Sequence, residues 1–164
     1  MPETAPGPLG LVQSFAGTLS TEPGADLLGT REEAAAWLHA VALLPAEAGL
    51  SNSEHAALLR LREAVRDVLA AQADGREAPE AATRLTKALA EGRLVVTVDS
   101  ASTVRLVSAA QAAYPSVVAA IAVAIADSAA AGTWPHLKSC PAPGCGQAFL
   151  DETPPHRCAG HTTA

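Results

Sequence analysis

Leu94-Val-Val-Thr-Val98, Asp99-Ser-Ala-Ser102 and Val104-Arg-Leu-Val107 mark the place where the hydrophobic period of this chain changes. β-Branched residues dominate both flanks, and a polar segment of turn formers lies between them. That pattern predicts two short strands joined as a β-hairpin over residues 93–107. A two-stranded hairpin alone is marginal in water, so it is expected to pack on its neighbours. On both sides those neighbours carry apolar residues at helical spacing. The chain therefore reads as α+β, predominantly α, with about five helices, one β-hairpin and a small cysteine-bearing C-terminal tail.

Toward the N-terminus, Pro79 suits the first position of a helix that carries Ala82, Leu85 and Leu89 and stops at Gly92. Ser51-Asn-Ser-Glu54 is a capping box. It starts the longest helix, with Leu58, Leu61, Val65, Val68 and Leu69 inward and Gly75 as the stop. Arg60, Arg62 and Arg66 lie along that helix, with Glu63 and Asp67 among them. Mixed signs cancel over a Debye length, so this reads as a solvated face rather than an anion site. Thr30-Arg-Glu-Glu33 is a second capping box, before a helix that carries Ala34, Trp37, Leu38 and Val41 and ends near Leu44. Leu9, Val12, Phe15, Ala16 and Leu19 give a first helix, after a proline-rich leader over residues 1–8 that is expected to be disordered. On the other side of the hairpin, Pro115 opens a helix with Val118, Ile121, Ala122 and Ile125, closed by Gly132. It is apolar nearly all round and should be the most buried element.

The 164 residues suffice for one domain and a tail. A net charge of −6 gives no general attraction for nucleic acid. Met1 to Pro8 lacks the pattern of a signal peptide, and Val117 to Ala126 is too short an apolar run to span a bilayer. A cytoplasmic protein with no membrane partner is expected, and there thiols stay reduced. No nucleotide-binding, nucleophile-elbow or zinc-protease motif occurs. His39 and His55 stand alone on helices and read as surface or core-edge residues rather than ligands or bases. The chain is read as non-catalytic.

All 3 cysteines lie in the tail, too odd a number for a fully paired framework. Cys140-Pro-Ala-Pro-Gly-Cys145 is a tight loop that can aim two sulfurs at one point, with Phe149 and Leu150 as a short apolar strand beneath it. Cys158-Ala-Gly-His161 can add a second pair, making Cys140, Cys145, Cys158 and His161 a closed structural zinc site, with His156 as an alternative fourth ligand. Three thiols in a disordered tail, or an oxidised Cys140–Cys145 pair, are the alternatives.

The phrase His136-Leu-Lys-Ser-Cys140-Pro-Ala-Pro-Gly-Cys145-Gly-Gln-Ala-Phe149-Leu150-Asp151 resembles the start of a CGNR zinc finger. The region before it resembles the ABATE domain that accompanies that finger. Ser14-Phe-Ala-Gly-Thr-Leu19, the Trp37-Leu38 helix and the Arg93-Leu-Val-Val hairpin fall in the family's order. The resemblance implies an ABATE-like domain over residues 9–132 and a partial zinc finger over 133–164. It also implies a bacterial transcription regulator linked to stress. The family's finger has a second cysteine pair ending in C-G-N-R and then a basic stretch expected to contact DNA. Here Cys158 is followed by Ala-Gly-His161-Thr-Thr-Ala164. From Gly132 onward Lys138 and Arg157 balance Asp151 and Glu152. DNA affinity rests mainly on phosphate neutralisation, so direct DNA binding is expected to be weak or lost.

Three functions remain in view. The first is a transcription-regulator-like protein with a structural zinc site. The second is a protein- or small-molecule-binding module in which zinc is only structural. The third is a zinc hydrolase using the three cysteines, which has Asp151, Glu152 and His156 nearby but no motif for a general base. Neither the operator, the ligand nor the oligomeric state is legible.

Overall fold

A computed structural model describes residues 5–19, 26–140, 142 and 145–151. In chain order the elements are α1 (Gly7–Ala16), α2 (Arg31–Ala40), α3 (Asn52–Asp74), α4 (Pro79–Leu89), β1 (Leu94–Val98), β2 (Val104–Ser108), α5 (Ala113–Ala130), β3 (Leu137–Ser139) and β4 (Ala148–Leu150). Short 3-10 turns, Ala90–Gly92 and Trp134–His136, lead into β1 and β3. The fold is α+β and predominantly α, and its strands form two separate antiparallel hairpins.

Both capping boxes form. The Thr30 hydroxyl accepts from the Glu33 amide at 3.1 Å, and the Glu33 carboxylate accepts from the Thr30 amide at 2.9 Å. Ser51 and Glu54 repeat the exchange at 3.2 and 2.7 Å. Each box satisfies two donors that a helix start leaves unpaired. Gly75 ends α3 at φ 62°, the left-handed conformation that glycine adopts cheaply.

α2 stops at Ala40, short of Leu44. Ala42 turns left-handed at φ 57°, and the Leu43 and Leu44 amides both donate back to the Leu38 carbonyl, at 2.9 and 3.3 Å. Leu44 is still buried, so the apolar spacing runs on past the end of the helix. α1 also ends early: Leu19 lies beyond it, in an isolated bridge to Asp26. At the other end α1 begins at Gly7, inside the stretch read as a leader, and the buried Ala5 donates its amide to Gln13 Oε1 at 2.7 Å.

The core lies between α1, α3 and α5, where Val12, Phe15, Leu58, Val65, Val117 and Ile121 are fully buried. α5 is long and apolar enough, by length and composition alone, to cross a membrane. Its Val117, Val118 and Ile121 are nevertheless sealed in the core, while Ala126, Asp127, Ala129 and Ala130 face solvent. α5 is thus central to the core without being covered on every side, because alanine keeps a helix flank apolar while adding little surface that must be covered. Gly92 fixes the approach of the hairpin to α5: a Cβ there would meet the Ala119 backbone nitrogen at 2.8 Å.

β1 and β2 pair in register from Leu94↔Ser108 to Val98↔Val104. They pack on the helices less than expected: β2 comes up against α5, but every residue of β1 is exposed, and so is all of β2 except Ser108. β3 and β4 do the opposite. Leu137 is fully buried, and with Ala148 it joins the same core as α1, α3 and α5.

Candidate metal centre

Two registers build the centre. β3 pairs with β4 through Leu137↔Leu150, Lys138↔Phe149 and Ser139↔Ala148. Cys140 therefore leaves the hairpin at the end of β3, and Cys145 re-enters it just before β4. The Cys140 amide donates to the Gln147 carbonyl at 2.8 Å, and the Cys145 amide donates to the Ala142 carbonyl at 3.0 Å. The Ser139 hydroxyl donates to the Gly146 carbonyl at 2.9 Å. Gly146 takes φ 57°, which lets the chain reverse without strain. Both cysteines are buried and form one cluster with Phe149, against which Ala142 packs.

Two buried sulfurs on one tight turn supply half of a tetrahedral thiolate site. Zinc needs two more ligands. Cys158, His161 and the alternative His156 lie outside the described residues. Among the described residues, no group of three or more histidine, cysteine, aspartate or glutamate side chains could hold a metal ion.

The supports of the turn come from the helices. Arg66 projects from α3, donates to the Ala16 carbonyl at 3.0 Å and lies so close to Gly146 that any β-carbon there would collide with its guanidinium. Gln72, further along α3, donates to the Leu137 carbonyl at 3.0 Å. On the far side, Lys138 pairs with the buried Asp151, whose amide donates to the His136 carbonyl at 2.8 Å.

The reading of the α3 arginines as a solvated face holds for the exposed Arg60 and is corrected for Arg62 and Arg66. Arg62 is 4% exposed and grips Asp26 with two hydrogen bonds, at 2.5 and 3.0 Å, while also donating to Thr18 Oγ1 at 3.3 Å. Arg66 is largely covered as well, and Glu63 approaches it at 3.6 Å. Burial pushes the Asp26 carboxyl upward, but the hydrogen bonds from Arg62 and the Leu28 amide, with the Arg62 and Arg66 charges, hold it below the ordinary value. The signal was present in the spacing. Arg62 stands four residues after Leu58 and three before Val65, inside the apolar stripe rather than opposite it.

The lone histidines are structural fasteners. The His39 ring pairs with the Ala48 carbonyl at 2.8 Å, and the His55 ring pairs with the Leu28 carbonyl at 2.7 Å. A recess of about 280 Å³ opens between the start of α1 and the second hairpin, lined by Ala5, Pro6, Leu9, Thr133, His136 and Leu150.

Residues 9–132 match the family model of the ABATE domain, described as a putative stress-induced transcription regulator. No curated protein matches the chain.

Proposed function

Because the chain belongs to the ABATE family, we propose that it is a non-catalytic, cytoplasmic transcription-regulator-like protein whose C-terminal hairpin holds a structural zinc ion. The observation that carries the metal reading is the pair of buried cysteines, Cys140 and Cys145, on one hydrogen-bonded turn. Cys158 and His161 would complete the set, with His156 competing for the fourth position. Zinc in a closed four-ligand site supplies stability and offers no open position for a reaction.

Direct DNA contact in this reading is weak. The net charge is −6. Arg31, Arg62, Arg66, Arg76, Arg84 and Lys138 each face a carboxylate of the chain itself. A cation already paired within the protein neutralises phosphate poorly, and phosphate neutralisation supplies most non-specific affinity.

Elemental analysis of protein purified without chelator tests the metal. Near-stoichiometric zinc is expected, lost in Cys140→Ser or Cys145→Ser. Wild-type protein with no metal and readily titrated thiols rejects the site. For DNA, half-saturation of mixed duplex at low salt is expected only above ~100 μM, weaker than ordinary non-specific binding. Low-micromolar binding overturns that part.

A second reading, a module for a small apolar ligand, is favoured by the recess between α1 and β4. Its 280 Å³ lies just below the usual range for ligand pockets, about 300–1,000 Å³. Leu9→Trp would fill it and should abolish any thermal shift produced by such a ligand.

A further inference from the structure

We propose that the apolar face of the β1–β2 hairpin docks against the same face of a second copy of this chain. Side chains alternate along a strand, and directly opposed residues share a face. The register Leu94↔Ser108, Val96↔Leu106 and Val98↔Val104 therefore puts five large aliphatic residues and one serine on one side. Val95, Thr97, Arg105 and Val107 take the other. The first face carries no charge, and Val96, Val98 and Val104 on it are each 64% exposed. The second face carries the polar pair Thr97↔Arg105 toward the turn.

The exposed part of the five aliphatic residues amounts to roughly 450 Å² per copy, within the size range of patches that usually serve a function. Two such faces bury ~900 Å². The flanking turn, residues 99–103, brings the contact to the approximately 1,000 Å² that a specific interface requires. A second hairpin also supplies the layer that a lone two-stranded sheet lacks.

Other occupants fit less well. Outside the described residues, residues 1–164 contain no large apolar side chain except Met1, so no remaining segment of this sequence can cover the face. Nucleic acid would need cations, and the face has no lysine or arginine. An uncharged face suits its own copy. This inference does not depend on the metal.

Analytical ultracentrifugation of the full chain over ~1–100 μM tests it. The wild type is expected to pass from monomer to dimer in that range. Val96→Asp with Val104→Asp should raise the dissociation constant at least ~100-fold, since charges would be buried face to face. Thr97→Asp, on the opposite face, should change it less than ~3-fold. Unchanged helical circular dichroism certifies each fold. Should the double variant lose it, Val96→Thr, close in shape, is expected to weaken the dimer several-fold with the helices intact. A wild type that stays monomeric at ~100 μM overturns the proposal, also where it floats with phosphatidylcholine–phosphatidylglycerol vesicles or pairs only with a different protein. So does a dimer that survives the double variant, or one that Thr97→Asp dissolves equally well.

Discussion

β1 and β2 have five residues each, rich in valine, and nearly all of them face solvent; β3 and β4 have three each, and most are buried. Strand length and β-propensity would rank these hairpins the other way round. What differs is the surface opposite each. β3 lies on α3, where Gln72 takes the Leu137 carbonyl and Leu137 itself enters the core. β1–β2 is fastened at its base, where the Ala109 amide donates to the Arg93 carbonyl at 2.9 Å and Gly92 abuts Ala119. Beyond that base it projects. β-Propensity describes fit to a half-buried pleated surface, and the burial has to come from a neighbour.

Substitutions can break this contrast, beginning with the strongest. Leu137→Ala should cost about 2–5 kcal/mol in urea unfolding, the range for a fully buried leucine. Thr97→Ala, in the longer hairpin, should stay within about 0.5 kcal/mol. Equal losses would mean that the two hairpins share one fate. Gly146→Ala comes next, at about 1–3 kcal/mol, because it combines a left-handed backbone with a collision against Arg66. A thermal midpoint unchanged by that substitution would show that Arg66 does not brace the turn. Asp26→Asn should cost about 1–2 kcal/mol, reduced from the figure for a sealed ion pair because the carboxylate keeps some contact with water.

That last variant also carries a pH signature. The folded state holds the Asp26 carboxyl below its ordinary value of 3.8, so folding disfavours its proton. Its contribution is complete above the ordinary value and is lost as the pH falls from about 4 through the lower, folded value. The wild type should therefore lose stability over that acid range more steeply than Asp26→Asn. Parallel curves would place the sensitivity elsewhere. Because Arg62 and Arg66 sit on the helix that carries β3, the loss should also loosen the second hairpin before the first.

Much of this architecture was readable from residues. Thr30/Glu33, Ser51/Glu54 and Gly75 set helix ends by local hydrogen bonding, which is why those boundaries came out close. The exposed hairpin was recognised as a hairpin because β-branching and turn residues are local signals. Its lack of cover was not legible, since cover depends on elements far away in the chain. β3 was missed for a related reason. Leu137-Lys-Ser139 has no strand pattern of its own and becomes one by pairing with Ala148-Phe-Leu150. At the centre, Cys140 and Cys145 were legible through their spacing around prolines and glycine. Arg66 was not assigned there, because its closeness to Gly146 joins segments 80 residues apart.

The bond from Gln72 to the Leu137 carbonyl has a consequence in time. Its partners stand 65 residues apart. A ribosome adding roughly 5–20 residues per second delivers Leu137 ~3–13 s after Gln72. For that interval the face of α3 that receives β3 has no strand to cover it. A nascent chain holds an open apolar stripe for seconds, long enough for a chaperone to find it, before a six-residue sheet closes the core.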